Sequence, residues 1–292
     1  MCDRSAIANS TKYNADPIGE GVKVSPNSIV LFRHALHVWL IGFILTSLPA
    51  MEELWSDPIS PALPAPGFAR SFTHAFNSWA EGWEVVGVAI LLFLATFQLL
   101  RRSDLVLSVM IWALFTSLMN KAWLASSGGQ QLISNMLFWL IFLPEPRKGE
   151  HPSVIGTAAF WIVRLQLLIA YVATAMHKMT GDLWISGDAI AVVVSDPLYG
   201  PQWLLRWPVV MMLLTWSTLL FQITFPIAIW FQRTRIPWMI AGILFHVVTA
   251  IIFQIPEMAF AFILCYPIWM NDREVRKLLM IPGRMRMITT SR

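Results

Sequence analysis

Charge is scarce in this chain. Of 292 residues only 13% are Asp, Glu, Lys or Arg, while 57% are hydrophobic. A soluble domain carries about 25% charged and roughly 45–50% apolar residues. With 15 Trp and 18 Phe added, too little polar surface is left to face water on every side. A soluble globule and a disordered chain are excluded on that ground. Cysteine is scarcer still: Cys2 and Cys265 stand far apart, with no CxxC and no Cys/His cluster. That excludes a disulfide scaffold and a zinc site. The first 29 residues lack an apolar core, so no cleavable signal is expected. The chain has no internal repeat and no separate soluble domain.

What is present is apolar sequence in long runs, with a mean hydropathy of +0.61. A membrane helix needs about 20 mostly apolar residues. Eight segments approach this: 29–50, 83–100, 104–125, 130–144, 156–178, 208–231, 236–255 and 257–270. The fourth and eighth are short. Residues 184–196 are too short and polar to span and are expected at the interface or re-entering. The fold class expected is all-α: a polytopic membrane bundle of about eight transmembrane helices. Its parts are a polar cytoplasmic segment, 1–28, a transmembrane domain, 29–270, and a basic cytoplasmic tail, 271–292.

The net charge of +4 reflects topology rather than nucleic acid, for which no partner role is expected. Basic residues accumulate in cytoplasmic loops. With the N-terminus inside and eight spans, sixteen of the 21 basic residues fall inside: Arg4, Lys12, Lys23, Arg33, Arg101, Arg102, Arg147, Lys148, Arg233, Arg235, Arg273, Arg276, Lys277, Arg284, Arg286 and Arg292. Both termini are then cytoplasmic, and dropping either short span moves basic residues to the wrong side. The outer loop 51–82 holds Pro58, Pro61, Pro64 and Pro66, which forbid a long helix. The tail is placed to lie on anionic lipid.

Ionisable groups inside spans are costly and mark function by default. The fifth span is richest. Arg164, Tyr171 and Lys178 are seven apart and share nearly one helix face. That stripe belongs in the bundle interior or a water-filled cavity. Lys178, at the outer end, is either a lysine snorkelling to headgroups or a base acting through its neutral amine. Arg164 reads as a structural arginine bonded to carbonyls or to Gln166. His246, mid-span in the seventh helix, reads alone as a hydrogen-bonded packing residue. His34 and His37 make an incomplete metal site, so no metal is expected. Glu84 and Lys121 lie at similar depth and are expected to pair with each other, or with Lys178 and Asp182 around one outer cavity.

Arg164-x-Gln166-x4-Tyr171-x6-Lys178, followed by Trp184-x2-Gly187, resembles the central signature of the vitamin K-dependent gamma-carboxylase-like superfamily. Its membrane core is also called the horizontally transferred transmembrane (HTTM) domain. Phe225-Pro226, then Phe245-His246, Phe253, Met258, Phe260 and Pro267 agree in order. The resemblance covers about 30–270. It implies that Lys178 is the base and that Arg164, Gln166, Tyr171, His177, Trp184 and His246 line or brace a pocket, with a reduced quinone as cofactor. Three features depart from the carboxylase. It has paired lysines where this chain has His177-Lys178. It has a histidine where this chain has Leu143-Pro144-Glu145-Pro146-Arg147. It carries a large extramembrane substrate-binding portion for which no room is expected here.

Ser195-Asp196-Pro197-Leu198-Tyr199-Gly200 and Leu214-Thr215-Trp216 look closer to a small bacterial branch. That branch is typified by the B protein of the sporulation-delaying system, needed to mature a secreted peptide toxin. The resemblance therefore implies a multi-pass cell-membrane protein that helps mature an exported peptide, with an accessory maturation protein as partner. A quinol-dependent redox enzyme and a transport or structural component are the alternatives.

Overall fold

The computed structural model describes residues 24–56, 83–101, 104–143 and 153–280. Among these the chain is helical, without strands. The helices are α1 Pro26–Ser47, α2 Glu84–Leu100, α3 Leu105–Lys121, α4 Gly128–Leu140, α5 Val154–Met179, α6 Asp182–Ser186, α7 Ala189–Ser195, α8 Pro208–Ala228, α9 Gln232–Phe253, α10 Pro256–Cys265 and α11 Asp272–Met280. A π-helical turn, Glu52–Ser56, follows α1.

Four long helices start at side-chain caps. Ser25, Asp104, Ser127 and Ser153 each accept from a backbone N–H of the first turn, which satisfies donors the helix itself cannot. These polar caps set the boundaries; the apolar runs behind them supply length. All eight segments read as spans are helical. Four of them, Pro26–Ala50, Val154–Met179, Pro208–Ala228 and Gln232–Phe253, are long and apolar enough to cross a membrane. Glu84–Leu100, Leu105–Lys121, Gly128–Leu140 and Pro256–Trp269 are shorter.

The exterior of these helices is apolar. Leu105, Val106, Ile169, Leu220, Ile227, Leu244 and Ile251 are 57–71% exposed. So wide an apolar exterior does not belong in water. The interior is sealed by small residues. A Cβ on Gly129 of α4 would sit 2.6 Å from the Met258 Cα of α10. Close helix approach at glycine is how membrane bundles gain packing energy.

The described basic residues of the predicted inner loops gather at one end. Arg33 donates to the Arg101 carbonyl at 3.2 Å. Arg235 meets Glu274 at 3.4 Å. Asp272 accepts from Ser25 Oγ at 2.7 Å and Asn27 N at 3.0 Å, pinning α11 to the start of α1. Arg33 and Arg235 are buried rather than solvated, each bonded to a helix-end carbonyl. Arg147, Lys148, the proline-rich loop from 57 to 82, residues 1–23 and the tail from 281 lie outside the described residues.

Residues 184–196 form helices too short to span. They form parts of α6 and α7, which pack across the first half of α8 in a small separate core of Ile190, Val194, Leu204 and Met211.

Candidate functional site

Helix α5 carries the stripe, and α8, α9 and α10 pack around it. Its three members point inward, as the spacing predicts, but each meets a different environment. Arg164 and Lys178 are 14 residues apart, about 21 Å along a helix, too far to touch one small ligand.

Arg164 is 2% exposed. Its Nε donates to the Ile268 carbonyl at 3.0 Å. Its guanidinium lies 4.2 Å from the Phe160 ring centroid, 5.0 Å from Trp269 and 5.1 Å from Trp161. A planar, weakly hydrated cation is suited to such a cage. This is the carbonyl-bonded structural reading, with Ile268 rather than Gln166 as partner. Gln166 is half-buried and lies about 200° round the helix from Arg164.

Tyr171 sits midway and is 1% exposed. Its hydroxyl lies 2.6 Å from His246 Nε2 and 2.7 Å from the Tyr266 hydroxyl. The rings of Phe221, Phe225 and Phe262 surround it at 4.5–5.8 Å. Helix α9 reaches this close because residue 242 is glycine. A Cβ there would meet the Tyr266 hydroxyl at 2.3 Å. His246 Nδ1 is buried with no partner among the described residues, between the rings of Phe245 and Phe262.

Lys178 does not snorkel outward. Its Nζ donates to Gln222 Oε1 at 3.0 Å, and Gln222 is 6% exposed. The contact between Tyr171 and Phe225 sets the antiparallel register of α5 on α8. In that register Gln222 lies about one turn deeper than Lys178 itself. The reason is geometric. Side chains lean toward their helix N-terminus, so on antiparallel neighbours these two lean toward each other. Pro226 adds to this site, since it has no N–H to give the Gln222 backbone carbonyl one turn back.

The Lys178 ammonium also lies 4.8 Å from the Trp184 ring centroid. Trp184 is placed by the turn that follows. Gly187 adopts φ +92°, and a Cβ there would meet Met212 Cγ at 2.6 Å. Trp216 Nε1 donates to the Ile185 carbonyl at 3.2 Å, and Thr215 Oγ1 accepts from Ile190 N at 3.2 Å. Thus Gly187, Thr215 and Trp216 dock the turn on α8. Among the described residues no carboxylate lies within ion-pair distance of Lys178. Asp182 is exposed, and so is His177, which faces away.

Glu84 and Lys121 form a buried ion pair with each other, the first of the two arrangements expected for them. They are not part of the Lys178 site. His34 Nδ1 and His37 Nδ1 each lie 2.7 Å from the carbonyl one turn back.

Sequence reasoning missed Gln222, Tyr266 and Gly242. Gln222 was legible by the rule that found Lys178: an amide inside an apolar span needs a partner. The other two carry no such signal. Of the residues that the resemblance assigns to a pocket, Tyr171 meets His246, Lys178 meets Trp184, and Arg164 lies apart from both pairs. The Tyr171 hydroxyl bonds His246 Nε2 and Tyr266 under a packed aromatic cage, with only His246 Nδ1 left without a partner, so a quinol ring does not fit among them as they are packed.

Fold and site together define a helical membrane protein with an inward-turned lysine. Residues 146–273 match the family model of the HTTM domain. The match contains α5 to α10 and every group described around Lys178, Tyr171 and Arg164, and it supports membership of the HTTM superfamily. Comparison with curated proteins and with solved structures found no match.

Proposed function

We propose that Lys178 is a proton acceptor in the modification or maturation of an exported peptide, at a site that faces the outer side of the cell membrane. The observation that carries this reading is the placement of its amine. It is held by an amide oxygen and an indole face, with no carboxylate partner among the described residues. An amine so held exchanges a proton without breaking an ion pair, and lysine is suited to that role where arginine is not. The outer assignment follows from the basic residues, which gather at the opposite end of the bundle from Lys178. An accessory maturation protein and the small bacterial branch of the superfamily belong to the same reading.

The test compares peptides exported by cells carrying the wild-type chain, Lys178→Ala or Lys178→Arg, by mass spectrometry of the medium. A peptide form that depends on the wild-type chain should disappear with both variants at equal membrane abundance. Full retention with Lys178→Arg sinks the base role, because arginine stays protonated.

A further inference from the structure

Helix α11, Asp272–Met280, has two unlike faces. With about 100° between successive residues, Leu278, Val275 and Leu279 form one ridge, and Arg276, Arg273 and Lys277 lie on the face opposite. Val275 is 1% exposed and belongs to the core of the bundle. One turn further on, the same ridge carries Leu278 and Leu279, 49% and 46% exposed. The ridge starts on protein and ends half uncovered.

The charges of this helix are sorted by use. Both acids are spent inside the chain. Asp272 accepts from Ser25 Oγ at 2.7 Å and from Asn27 N at 3.0 Å. Glu274 accepts from Asn271 N at 2.7 Å and meets Arg235 at 3.4 Å. The three bases, Arg273, Arg276 and Lys277, are all exposed, and none has a hydrogen bond or ion pair among the described residues. Arg233, two residues before Arg235, is exposed as well. After Glu274 the sequence adds Arg284, Arg286 and Arg292 but no Asp or Glu.

The bonds of the two acids also fix the depth of the helix. They tie α11 to the first residues of α1 and, through Arg235, to the start of α9. Both of these helices are long and apolar enough to cross a membrane, so α11 sits at the level where two spans begin. A strongly amphipathic helix of low net hydrophobicity, with bases on its polar face, lies in the plane of a membrane interface. Helix α11 has that composition.

We infer that α11 lies along the leaflet at the basic end of the bundle and binds anionic phospholipid there. Leu278 and Leu279 enter the acyl boundary, and Arg273, Arg276 and Lys277 stand at the phosphates. An acidic protein or a nucleic acid could use the same bases, but neither accounts for an apolar ridge left half uncovered at headgroup depth. The inference does not rest on the role proposed for Lys178, which lies at the other end of the bundle.

The test uses the full chain in vesicles of equal parts phosphatidylcholine and phosphatidylglycerol. A spin label is placed by Leu279→Cys or Arg273→Cys in a Cys2→Ser chain; Cys265 is buried and stays unlabelled. The label at 279 should collide with dissolved oxygen and be shielded from a water-soluble nickel complex, and the label at 273 should show the reverse. Lipid retained by the chain on extraction into detergent should be enriched in phosphatidylglycerol, and added salt should erase the enrichment. A base near an anionic surface strengthens binding about fivefold. Arg273→Gln, Arg276→Gln and Lys277→Gln together should therefore lower the enrichment about tenfold or more. Arg206→Gln, an exposed cation toward the Lys178 end, should leave it unchanged. Nickel access at position 279 equal to that at 273, which a soluble partner of this face would produce, overturns the proposal. So does a wild-type chain without phosphatidylglycerol enrichment, or a triple variant that keeps it. The enrichment and its salt dependence use the wild-type chain alone and decide the question even where a variant fails to fold.

Discussion

The hydroxyl of Tyr266 occupies the space that a side chain at Gly242 would need. A Cβ at position 242 would lie 2.3 Å from that oxygen and 2.9 Å from the ring carbon bearing it. One absent methyl group thus brings α9 against α10 and lets Tyr266 reach Tyr171, which in turn meets His246. The relationship ties two helices of the predicted pocket into one packed unit.

Gly242→Ala should therefore push Tyr266 away and break its bond to Tyr171. The expected loss is about 1–3 kcal/mol, the usual cost of overpacking, read as a lower Tm in detergent. Adding Tyr266→Phe removes the nearest clashing atom and should recover part of that loss. A double variant as unstable as the sum of the two singles would show that the contact does not govern the packing.

Gln222 is a positioning residue for Lys178, and two substitutions separate its roles. Gln222→Leu removes the acceptor and frees the amine. Gln222→Glu supplies a carboxylate that holds the ammonium in an ion pair. Both should reduce the peptide-dependent activity about tenfold or more. The glutamate variant should keep wild-type Tm while losing activity, which a purely structural amide would not do. Unchanged activity in both would remove Gln222 from the site.

The ion pair of Glu84 with Lys121 is buried, with side chains 6% and 12% exposed. Removing one partner strands the other charge, so Glu84→Gln should cost about 3–5 kcal/mol. The double change Glu84→Leu with Lys121→Met should cost much less, since a well-packed apolar pair is often neutral. Thermal unfolding of the three variants checks the ordering. Activity per folded molecule should not change, because the pair lies outside the Lys178 site.

Arg164→Lys tests the structural role of the arginine. Lysine cannot spread over three rings or keep the same bond to Ile268. Stability should fall by about 1–2 kcal/mol, while activity of the folded fraction stays at the wild-type level. A selective loss of activity would instead return Arg164 to a pocket.

Much of the architecture was legible from local rules. Apolar length marked the eight long segments that prove helical. The seven-residue spacing put Arg164, Tyr171 and Lys178 on one inward face. The depth of Glu84 and Lys121 in their segments anticipated their pairing. Arg33 and Arg101, which the charge count had grouped, meet in the structure.

Partners were not legible, because they come from other helices at distant sequence positions. The same face of α5 holds a caged arginine, a dry tyrosine cluster and an amide-bound lysine. What differs is the helix opposite each. Nothing local distinguishes a lysine that snorkels from one that turns inward; the antiparallel register of α5 on α8 makes that choice. Likewise hydropathy and spacing alone lead to a helical membrane chain with a few inward polar groups. That those groups form separate environments, and that an open volume lies across α10, beside Gln130 and Trp55, comes from the way the helices pack. Close packing is the reason. Hydropathy sets which residues leave water, but the small size of Gly129 and Gly242 and the register between helices set which atoms then meet.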